Sequence, residues 1–251
     1  MPRRPSSAGT RASPRGRELD IRRGILRGGR GPGANALTLL TTVATNYHYE
    51  YYTAEAVWSD AYIAPRVLEQ LRADGSVRSV LDAGCGNGNL AARIAAAGFE
   101  VAAFDPSVSA IEHARAAYPS VQFEAISGYE DIHARFGRFF DACIAVEVIE
   151  HLYEPRQFVS RVFDVLRPGG RFILSTPYHG YLKNLALAVT GKMDSHYTAQ
   201  WDGGHIKFWS RATLTAVLEE RGFQILDFQG AGRLPLLWKS MIVTARKPPT
   251  S

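Results

Sequence analysis

The feature that most constrains this chain is a glycine-rich segment that directly follows an apolar run. It reads VLDAGCGNG over residues 80–88, and a helical pattern begins at the next residue, Asn89. Glycine lets the backbone turn sharply and come close to a ligand. The first turn of a helix offers backbone N–H donors that have no partner within the helix. A strand, a glycine turn and a helix in this order predict an α/β fold with a nucleotide-like ligand at the turn.

The rest of the chain alternates between short apolar runs and helical patterns. Helical segments begin near Asn89, Ser107, Tyr129 and Pro155, and a later one covers residues 211–221. Runs that are apolar throughout indicate parallel strands buried on both faces of a sheet. The last two runs follow each other without a helix and predict a hairpin that adds an antiparallel strand. The apolar runs cover residues 77–83, 101–104, 121–125, 142–146, 172–175, 223–228 and 240–245.

Positive charge is concentrated at the start of the chain. Residues 1–33 carry nine arginines against Glu18 and Asp20, a local net charge of +7, whereas the whole chain has a formal net charge of +5. Residues 34–251 therefore sum to −2 and lack the basic surface that nucleic acid binding needs. A stretch rich in Arg, Gly, Pro and Ser buries too little apolar surface to order itself. We predict a disordered tail over 1–33, with a tether to an acidic surface or a targeting peptide as alternative roles, and one folded domain over 34–251.

The cysteines and the hydropathy pattern indicate a compartment. Cys85 and Cys143 are too few for a disulfide framework and have no metal-ligand spacing. Apolar runs in this sequence stay well short of the roughly 18 residues that a membrane span needs. We therefore expect reduced thiols, no transmembrane segment and a cytoplasmic compartment. The sequence Pro168-Gly-Gly170 predicts a turn ahead of the fifth strand.

Three positions around the glycine segment distinguish between nucleotide-like ligands. A dinucleotide fingerprint needs a glycine at the sixth position counted from Gly84, and this chain has Asn89 there. Asp82 places a carboxylate at the mouth of the loop, where it can meet the cationic amino group that adenosylmethionine has and NAD lacks. Asp105 follows the second strand and can accept hydrogen bonds from both ribose hydroxyls; the alternative is a helix N-cap with Pro106 at the first helical position. The pattern favours adenosylmethionine.

These residues are part of a longer resemblance, which covers roughly residues 50–247. The chain resembles the class I S-adenosylmethionine-dependent methyltransferases. VLDAGCGNG matches the first motif of that family, Asp105 its acidic position after the second strand, FDACIAVEVIEHL its fourth-strand motif, and LRPGGRFILSTP the turn and strand that follow. The resemblance implies a Rossmann-like, seven-stranded, mostly parallel sheet with a C-terminal antiparallel strand and helices on both faces. Residues 34–251 would then be the methyltransferase domain.

The resemblance also implies a set of residues that contact the cofactor. The family usually has an acidic residue on the adenine side, after the third strand, and this chain has Ser127 there. The residues expected to contact adenosylmethionine are Asp82, Gly84, Cys85, Gly86, Gly88, Asp105, Pro106, Ser127, Gly128 and Glu147.

Candidate catalytic residues follow the fourth strand. Glu147, Glu150 and His151 are three and four positions apart, which predicts that they share one side of a helical turn. Two carboxylates and an imidazole placed in this way can bind a divalent cation if a fourth ligand is present, and His205, in GGHIKFWS, is the best candidate. A set rich in oxygen ligands suits Mg²⁺ or Mn²⁺ better than zinc. The alternatives are His151 as a lone base or orienting residue, with Glu150 beside it, and a structural role.

The pattern ExxEH with a later HxKF is similar to two subgroups of the family. They are the ubiquinone-biosynthesis O-methyltransferases and the small-RNA 3′-terminal 2′-O-methyltransferases, in which the resembling residues hold a metal that binds vicinal oxygens. This resemblance implies O-methylation of a small phenolic or quinol-type acceptor. Alternatives are a sugar, natural-product or RNA-terminal hydroxyl, a Rossmann-type NAD-dependent oxidoreductase, and a non-catalytic cofactor-binding scaffold.

Residues 177–208 interrupt the strand–helix rhythm and are interpreted as a lid or an acceptor-binding insertion. They include an amphipathic helix with Leu182, Leu185 and Val189, followed by Lys192. This helix can contact a membrane surface peripherally and receive a lipid-tailed acceptor; packing on the core of its own domain is the alternative. A tyrosine- and histidine-rich stretch can line an acceptor pocket or serve as packing. It comprises Tyr47, His48, Tyr49, Tyr51 and Tyr52.

Overall fold

A computed structural model describes residues 60–197 and 199–250. The predicted tail over 1–33 and the aromatic stretch from Tyr47 to Tyr52 lie outside the described residues. Apolar residues near helical spacing also predict a helix at about 54–73, and residues 60–72 of it are described. The division into a tail and a domain stays a prediction.

In the described part of the chain, seven strands form one sheet in the order β3-β2-β1-β4-β5-β7-β6. Strands β1 to β5 pair in parallel, and β7 is antiparallel to both of its neighbours. The predicted mostly parallel sheet with a C-terminal antiparallel strand is confirmed. The strands are β1 Ser79–Ala83, β2 Glu100–Asp105, β3 Gln122–Ala125, β4 Phe140–Val146, β5 Leu166–Pro177, β6 Gln224–Ala231 and β7 Ser240–Arg246.

Helices cover both faces of the sheet, as predicted. Successive residues of β1 point to opposite faces, so Val80 packs in one apolar cluster with Ile63 and Leu81 packs in another with Phe158. The first cluster includes residues of α1, α2 and α3, and the second includes residues of α4, α5 and α8. The helices are α1 Asp60–Arg72, α2 Asn89–Ala96, α3 Val108–Ala117, α4 Ile132–Phe136, α5 Pro155–Val165, α6 Tyr181–Val189, α7 Met193–Tyr197 and α8 Arg211–Arg221, with a 3₁₀ turn at Ile149–His151.

The strand order places a ligand crevice at one end of the sheet. Strand β1 lies between β2 and β4, so the chain runs outward in one direction through β2 and β3 and in the other through β4 and β5. In open parallel sheets, ligands bind outside the carboxyl ends of the strands at such a switch point. The glycine segment leaves β1 at this end, and the Glu147–His151 segment leaves β4 beside it.

The predicted turn at Pro168-Gly-Gly170 lies inside β5. This strand begins at Leu166, which pairs with Phe140, and its next pair with β4 joins Arg171 to Ala142. The residues between these pairs bulge out of the ladder, and Gly169 takes a φ of 80° that favours glycine. The predicted local bend is therefore confirmed, but the strand begins before the bend instead of after it.

Helix α6 forms where an amphipathic helix was predicted, and its apolar face is turned to the outside. Its apolar side chains are exposed, with 48% of Leu182 and 79% of Val189 open to solvent, whereas Lys183 is buried. The alternative that these apolar residues pack on the core is therefore wrong. Within residues 60–197 and 199–250, no helix is long and apolar enough to cross a membrane.

Replacing Gly88 with alanine is expected to destabilise the fold strongly. Gly88 precedes α2 with a φ of 78°, and a Cβ there would lie 2.7 Å from Phe123 Cζ and 2.9 Å from Ala114 Cβ. A left-handed backbone and an overpacked contact together cost on the order of 3 kcal/mol in the free energy of unfolding. Thermal and urea unfolding would measure the loss. Gly75→Ala is the matched control, because a Cβ at Gly75 meets nothing within 4 Å; equal stability of the two variants would contradict this account.

Candidate functional site

A cavity of about 790 Å³ lies at the carboxyl ends of the central strands. The glycine loop, the ends of β2 and β4, the 3₁₀ turn and residues from the 177–208 segment line it. Cofactor and small-molecule sites in proteins commonly measure about 300 to 1,000 Å³. The cavity is therefore large enough for a nucleoside cofactor with a small acceptor beside it.

The glycine loop is fixed to the end of β2 by its own backbone. The N–H groups of Gly84 and Cys85 both donate to the carbonyl oxygen of Phe104, at 2.8 and 3.0 Å. Gly84 has a φ of 80°, and a Cβ there would lie 2.6 Å from Cγ2 of Val148. Glycine is therefore required at this position by both the backbone angle and the close approach of the loop after β4.

Most of the predicted cofactor residues line the cavity. Gly88 is not among the lining residues and instead caps the start of α2. Cys85 lines the cavity, and burial raises the pKa of its thiol well above the ordinary value, so it stays protonated. The predicted residues that line the cavity are Asp82, Gly84, Cys85, Gly86, Asp105, Pro106, Ser127, Gly128 and Glu147.

Asp105 connects the glycine loop to the start of α3. Its Oδ2 accepts from the Gly86 N–H and its Oδ1 from the Ser107 N–H, both at 2.9 Å. Ser107 is the N-cap of α3, since its Oγ accepts from Ala110 N. The alternative that Asp105 caps this helix, with Pro106 at the first helical position, is therefore wrong. Each carboxylate oxygen keeps a second lone pair, so Asp105 can still accept from a ribose.

The residue spacing predicts that Glu147 shares a helical turn with Glu150 and His151, and this prediction is wrong. Glu147 has a φ of 55°, and the 3₁₀ turn begins later, at Ile149. The Glu147 N–H donates to the Ser175 carbonyl oxygen at 3.1 Å, and the Ser175 hydroxyl donates to Glu147 Oε1 at 2.9 Å. Bonds to the neighbouring strand thus override the helical spacing. Burial raises the pKa of the Glu147 carboxyl to about 7.

Glu150 is fully buried at the centre of the 3₁₀ turn. Its carboxylate has 0% exposure, and neither oxygen has a hydrogen bond of ordinary geometry within the described residues. Burial, followed by the neighbouring Glu147, raises its pKa well above the ordinary value. Its backbone carbonyl accepts from the N–H groups of Ile206 and Lys207 at 2.9 and 3.0 Å, which holds the HIKF segment against the turn.

The two predicted histidines meet beside Glu150. His151 Nδ1–H donates to the Gly203 carbonyl oxygen at 3.1 Å, which leaves the lone pair on Nε2. The His151 and His205 ring centroids are 4.9 Å apart. Burial lowers the pKa of His151, and it lowers the pKa of His205 to about 4, with His151 adding to the effect. Both rings are therefore neutral at physiological pH, the form that binds metals.

The donor atoms of these residues fit a small cation. Glu150, His151 and His205 each offer one ligand atom, and these atoms all lie within 4.8 Å of one another. A buried carboxylate without a hydrogen bond needs a positive partner, and a carbonyl-bound Nδ1 is the usual support of a metal-binding imidazole. The structure thus brings together three of the four predicted ligands. Glu147 is not in this group, because its carboxylate is bonded to Ser175.

Several cavity residues were not found from the sequence. His179 and His196 lie 5.6 Å apart by ring centroids, and Lys183 and Arg233 line the same wall. Lys183 and Asn184 interrupt the otherwise apolar run YLKNLALAV, and the lysine was the available signal. His179, His196 and Arg233 had no such sequence signal, because they come from separate segments that only the fold brings together.

The raised pKa of Glu147 predicts a pH-dependent stability. Because the folded pKa of about 7 exceeds the ordinary 4.5, the stabilising contribution is present below about pH 4.5 and is lost as the pH rises through about 7. Glu147→Gln copies the protonated form. Its unfolding free energy relative to the native chain should therefore rise between about pH 4.5 and pH 7 and stay constant above that range, with a slope of at most about 1.4 kcal/mol per pH unit.

Denaturant titrations at several pH values, in a chelating buffer, would measure this trend. Glu154→Gln is the control, since Glu154 is exposed and does not line the cavity. A pH-independent difference for Glu147→Gln would contradict the raised pKa.

Comparison with known proteins bears on what fills this cavity. Residues 55–227 match the family described as a methyltransferase domain. A probable S-adenosylmethionine-dependent methyltransferase from Mycolicibacterium smegmatis is 34% identical over 165 residues, covering 62% of this chain and 57% of that protein. A ubiquinone biosynthesis O-methyltransferase from Methylocella silvestris is 34% identical over 170 residues, covering 64% of this chain and 59% of that protein. The chain spans about six tenths of the length of these relatives.

A solved structure shares the fold. Magnesium protoporphyrin IX methyltransferase from Synechocystis, crystallised with bound SAH, superposes with a TM-score of 0.58 at 22% identity, covering 74% of this chain and 82% of that one. The family match covers more than half of the chain and does not support the NAD-dependent oxidoreductase alternative. By this match, its sheet order and its glycine loop, the chain belongs to the S-adenosylmethionine-dependent methyltransferases, with adenosylmethionine as the cofactor.

Proposed function

We propose that the chain O-methylates a small acceptor with two adjacent hydroxyls, of the phenolic or quinol type, with the help of a divalent cation. The observation that carries the proposal is the buried Glu150 carboxylate, without a hydrogen bond of ordinary geometry among the described residues, beside the His151 and His205 rings. Relatives at 30–34% identity are named ubiquinone biosynthesis O-methyltransferase, which agrees with a hydroxyl acceptor.

Cofactor placement follows from the glycine loop and the two aspartates. Asp82, buried in the cavity wall, is assigned to the amino group of the cofactor's methionine part, and Asp105 to the ribose hydroxyls. Ser127 and Gly128 are assigned to the adenine side. Gly128 allows close packing there, because a Cβ on it would lie 2.8 Å from the Phe158 ring. His151 lines the same cavity as these residues, so the cofactor and the acceptor would share it.

Acceptor activation is assigned to the three-residue group. Glu150, His151 and His205 would hold Mg²⁺ or Mn²⁺, and a bound cation lowers the pKa of a hydroxyl that it contacts. The buried turn and the backbone bonds from Ile206 and Lys207 fix the positions of these ligands. In-line transfer needs the reacting atoms held in one geometry, so ligands fixed in this way would help to orient the acceptor. His151 Nε2 is also placed to take the hydroxyl proton if it acts without a cation.

An acceptor panel tests the proposal directly. Catechol, its isomer resorcinol and phenol would be incubated with the protein, labelled adenosylmethionine and Mg²⁺, and the products identified by mass spectrometry. We expect a mono-O-methyl ether from catechol and much slower reaction of the other two, since only catechol offers adjacent oxygens. Equal rates for all three, or methylation of amines alone, would contradict the proposal. Ribose-terminated oligonucleotides and simple glycosides in the same panel test the alternative hydroxyl acceptors.

An apolar tail on the acceptor is a second part of the proposal. The exposed side chains of α6 and of the loop between β6 and β7 support it, with 79% of Val189 and 74% of Leu234 open to solvent. Lys183 Nζ donates to the Lys239 carbonyl oxygen at 3.3 Å, which joins α6 to this loop. Alkyl catechols of increasing chain length should show a falling KM. A KM independent of chain length would contradict the tail.

A further inference from the structure

One wall of the cavity carries positive charge that the proposed chemistry does not use. Lys183, Arg233 and Lys239 line it, together with His179 and His196. Among the described lining residues, the carboxylates are Asp82 and Asp105 at the glycine loop and Glu147. The Glu147 carboxylate already accepts from the Ser175 hydroxyl. The positive charge on this wall therefore exceeds the negative charge beside it.

Lys183 is held in place with one ammonium proton left to donate. The side chain is 5% exposed, and Nζ donates to the Tyr178 carbonyl oxygen at 2.7 Å and to the Lys239 carbonyl oxygen at 3.3 Å. Burial, followed by the charge of Arg233, lowers its pKa to about 8. Lys183 is therefore still mainly protonated at neutral pH. A buried ammonium ion is costly unless a negative group pairs with it, and the acidic group whose charge acts on Lys183 is Glu147, which already accepts from the Ser175 hydroxyl.

His179 adds a buried polar group that lacks its expected partner. The residue is 8% exposed, and neither ring nitrogen makes a hydrogen bond of ordinary geometry with the described residues. Its ring stacks on Tyr197 with centroids 5.7 Å apart and meets the Phe208 ring edge-to-face at 5.1 Å. Burial, with Lys183 and His196, lowers its pKa to about 4, so the ring is neutral and one nitrogen carries a proton to donate.

We propose that this wall binds a carboxylate on the methyl acceptor, through Lys183 and Arg233, with His179 supplying a hydrogen bond. The flat ring systems of Tyr197 and Phe208 beside it suit a planar aromatic acceptor. An Arg fork pairs with a planar carboxylate through two parallel N–H···O bonds. The acceptor is thus an aromatic carboxylate, and its adjacent hydroxyls rest on the function proposed above.

Binding of matched probes tests this assignment without any turnover. Protocatechuic acid and its methyl ester share one ring and both hydroxyls and differ in the negative charge. Calorimetry with the full chain, loaded with S-adenosylhomocysteine and Mg²⁺, should show the acid binding about tenfold or more tighter than the ester. Lys183→Met and Arg233→Met should each remove most of this preference by weakening the acid alone. Arg233 is exposed, so its replacement does not risk the fold.

Lys192→Met is the matched control, because it removes the same charge from an exposed position just after α6. It should leave both affinities unchanged. Equal affinity of acid and ester for the native chain, or no binding of the acid, would overturn the assignment. So would variants that weaken S-adenosylhomocysteine instead of the acid, since the cations would then serve the cofactor's own carboxylate. Failure to methylate a tightly bound acid would count against the proposed reaction and leave the carboxylate site standing.

Discussion

Glu150→Gln is expected to lower kcat on catechol by on the order of 10²- to 10⁴-fold, with the affinity for adenosylmethionine unchanged. The substitution keeps the size of the side chain but removes the ionisable carboxyl group of a fully buried residue. It thereby removes a ligand from the group whose donor atoms lie within 4.8 Å of one another. Because an uncharged amide also fits the buried site more easily, the variant should be at least as stable as the native chain.

The same experiment separates the two roles left open for His151. If the three residues act through a cation, then Glu150→Gln, His151→Ala and His205→Ala should all lose activity to a similar extent. If His151 acts as a lone base, only His151→Ala should be severely impaired. Initial rates with saturating adenosylmethionine, and cofactor affinity by calorimetry, provide the two readouts. His133→Ala is a suitable control, since His133 lies on α4 and does not line the cavity.

Asp105→Ala is expected to weaken adenosylmethionine binding by on the order of 10²- to 10³-fold. Asp105 is 8% exposed and lines the cavity, and its two oxygens already position the N–H groups of Gly86 and Ser107. The variant therefore loses both the acceptor for the ribose hydroxyls and the connection between the glycine loop and α3. Calorimetric titration with S-adenosylhomocysteine measures the combined effect.

Two further variants distinguish a loss of ribose binding from a general loss of structure. Asp105→Asn keeps one carbonyl oxygen for the two backbone N–H groups and should recover part of the thermal stability but little of the affinity. Asp131 is the matched control: its side chain also accepts a backbone N–H at a helix start, from Ala134, but it lies outside the cavity. Asp131→Ala should bind the cofactor normally. Native affinity in Asp105→Ala would remove Asp105 from the cofactor site.

The glycine loop could be predicted from the sequence because its geometry is local. The strand, the turn and the first helical turn are consecutive, and the positive φ of Gly84 and Gly88 reflects the residue type. The same holds for Glu150 and His151, which are adjacent in the chain. The structure places His205 beside them because its segment forms backbone hydrogen bonds with Glu150. That pairing had no sequence signal of its own.

Features that depend on distant contacts were predicted less well. Helical spacing placed Glu147 beside Glu150, but bonds to Ser175 on the neighbouring strand fix it in a left-handed backbone instead. Hydropathy left open whether the apolar face of α6 contacts a membrane surface or packs on the core, and the carbonyl groups of Tyr178 and Lys239 decide the orientation by holding Lys183 inward. In both cases a hydrogen bond to a remote segment decides what the local pattern does not.

Removal of metal from the native chain shows whether a bound cation assists the transfer. Catechol methylation would be followed with excess EDTA, and then after Mg²⁺ or Mn²⁺ is restored above the chelator, with cofactor binding measured in both states. We predict that EDTA reduces the rate to about a hundredth or less, that either cation restores it, and that adenosylmethionine binds equally well throughout. Full activity in EDTA would contradict a metal-assisted transfer at Glu150, His151 and His205.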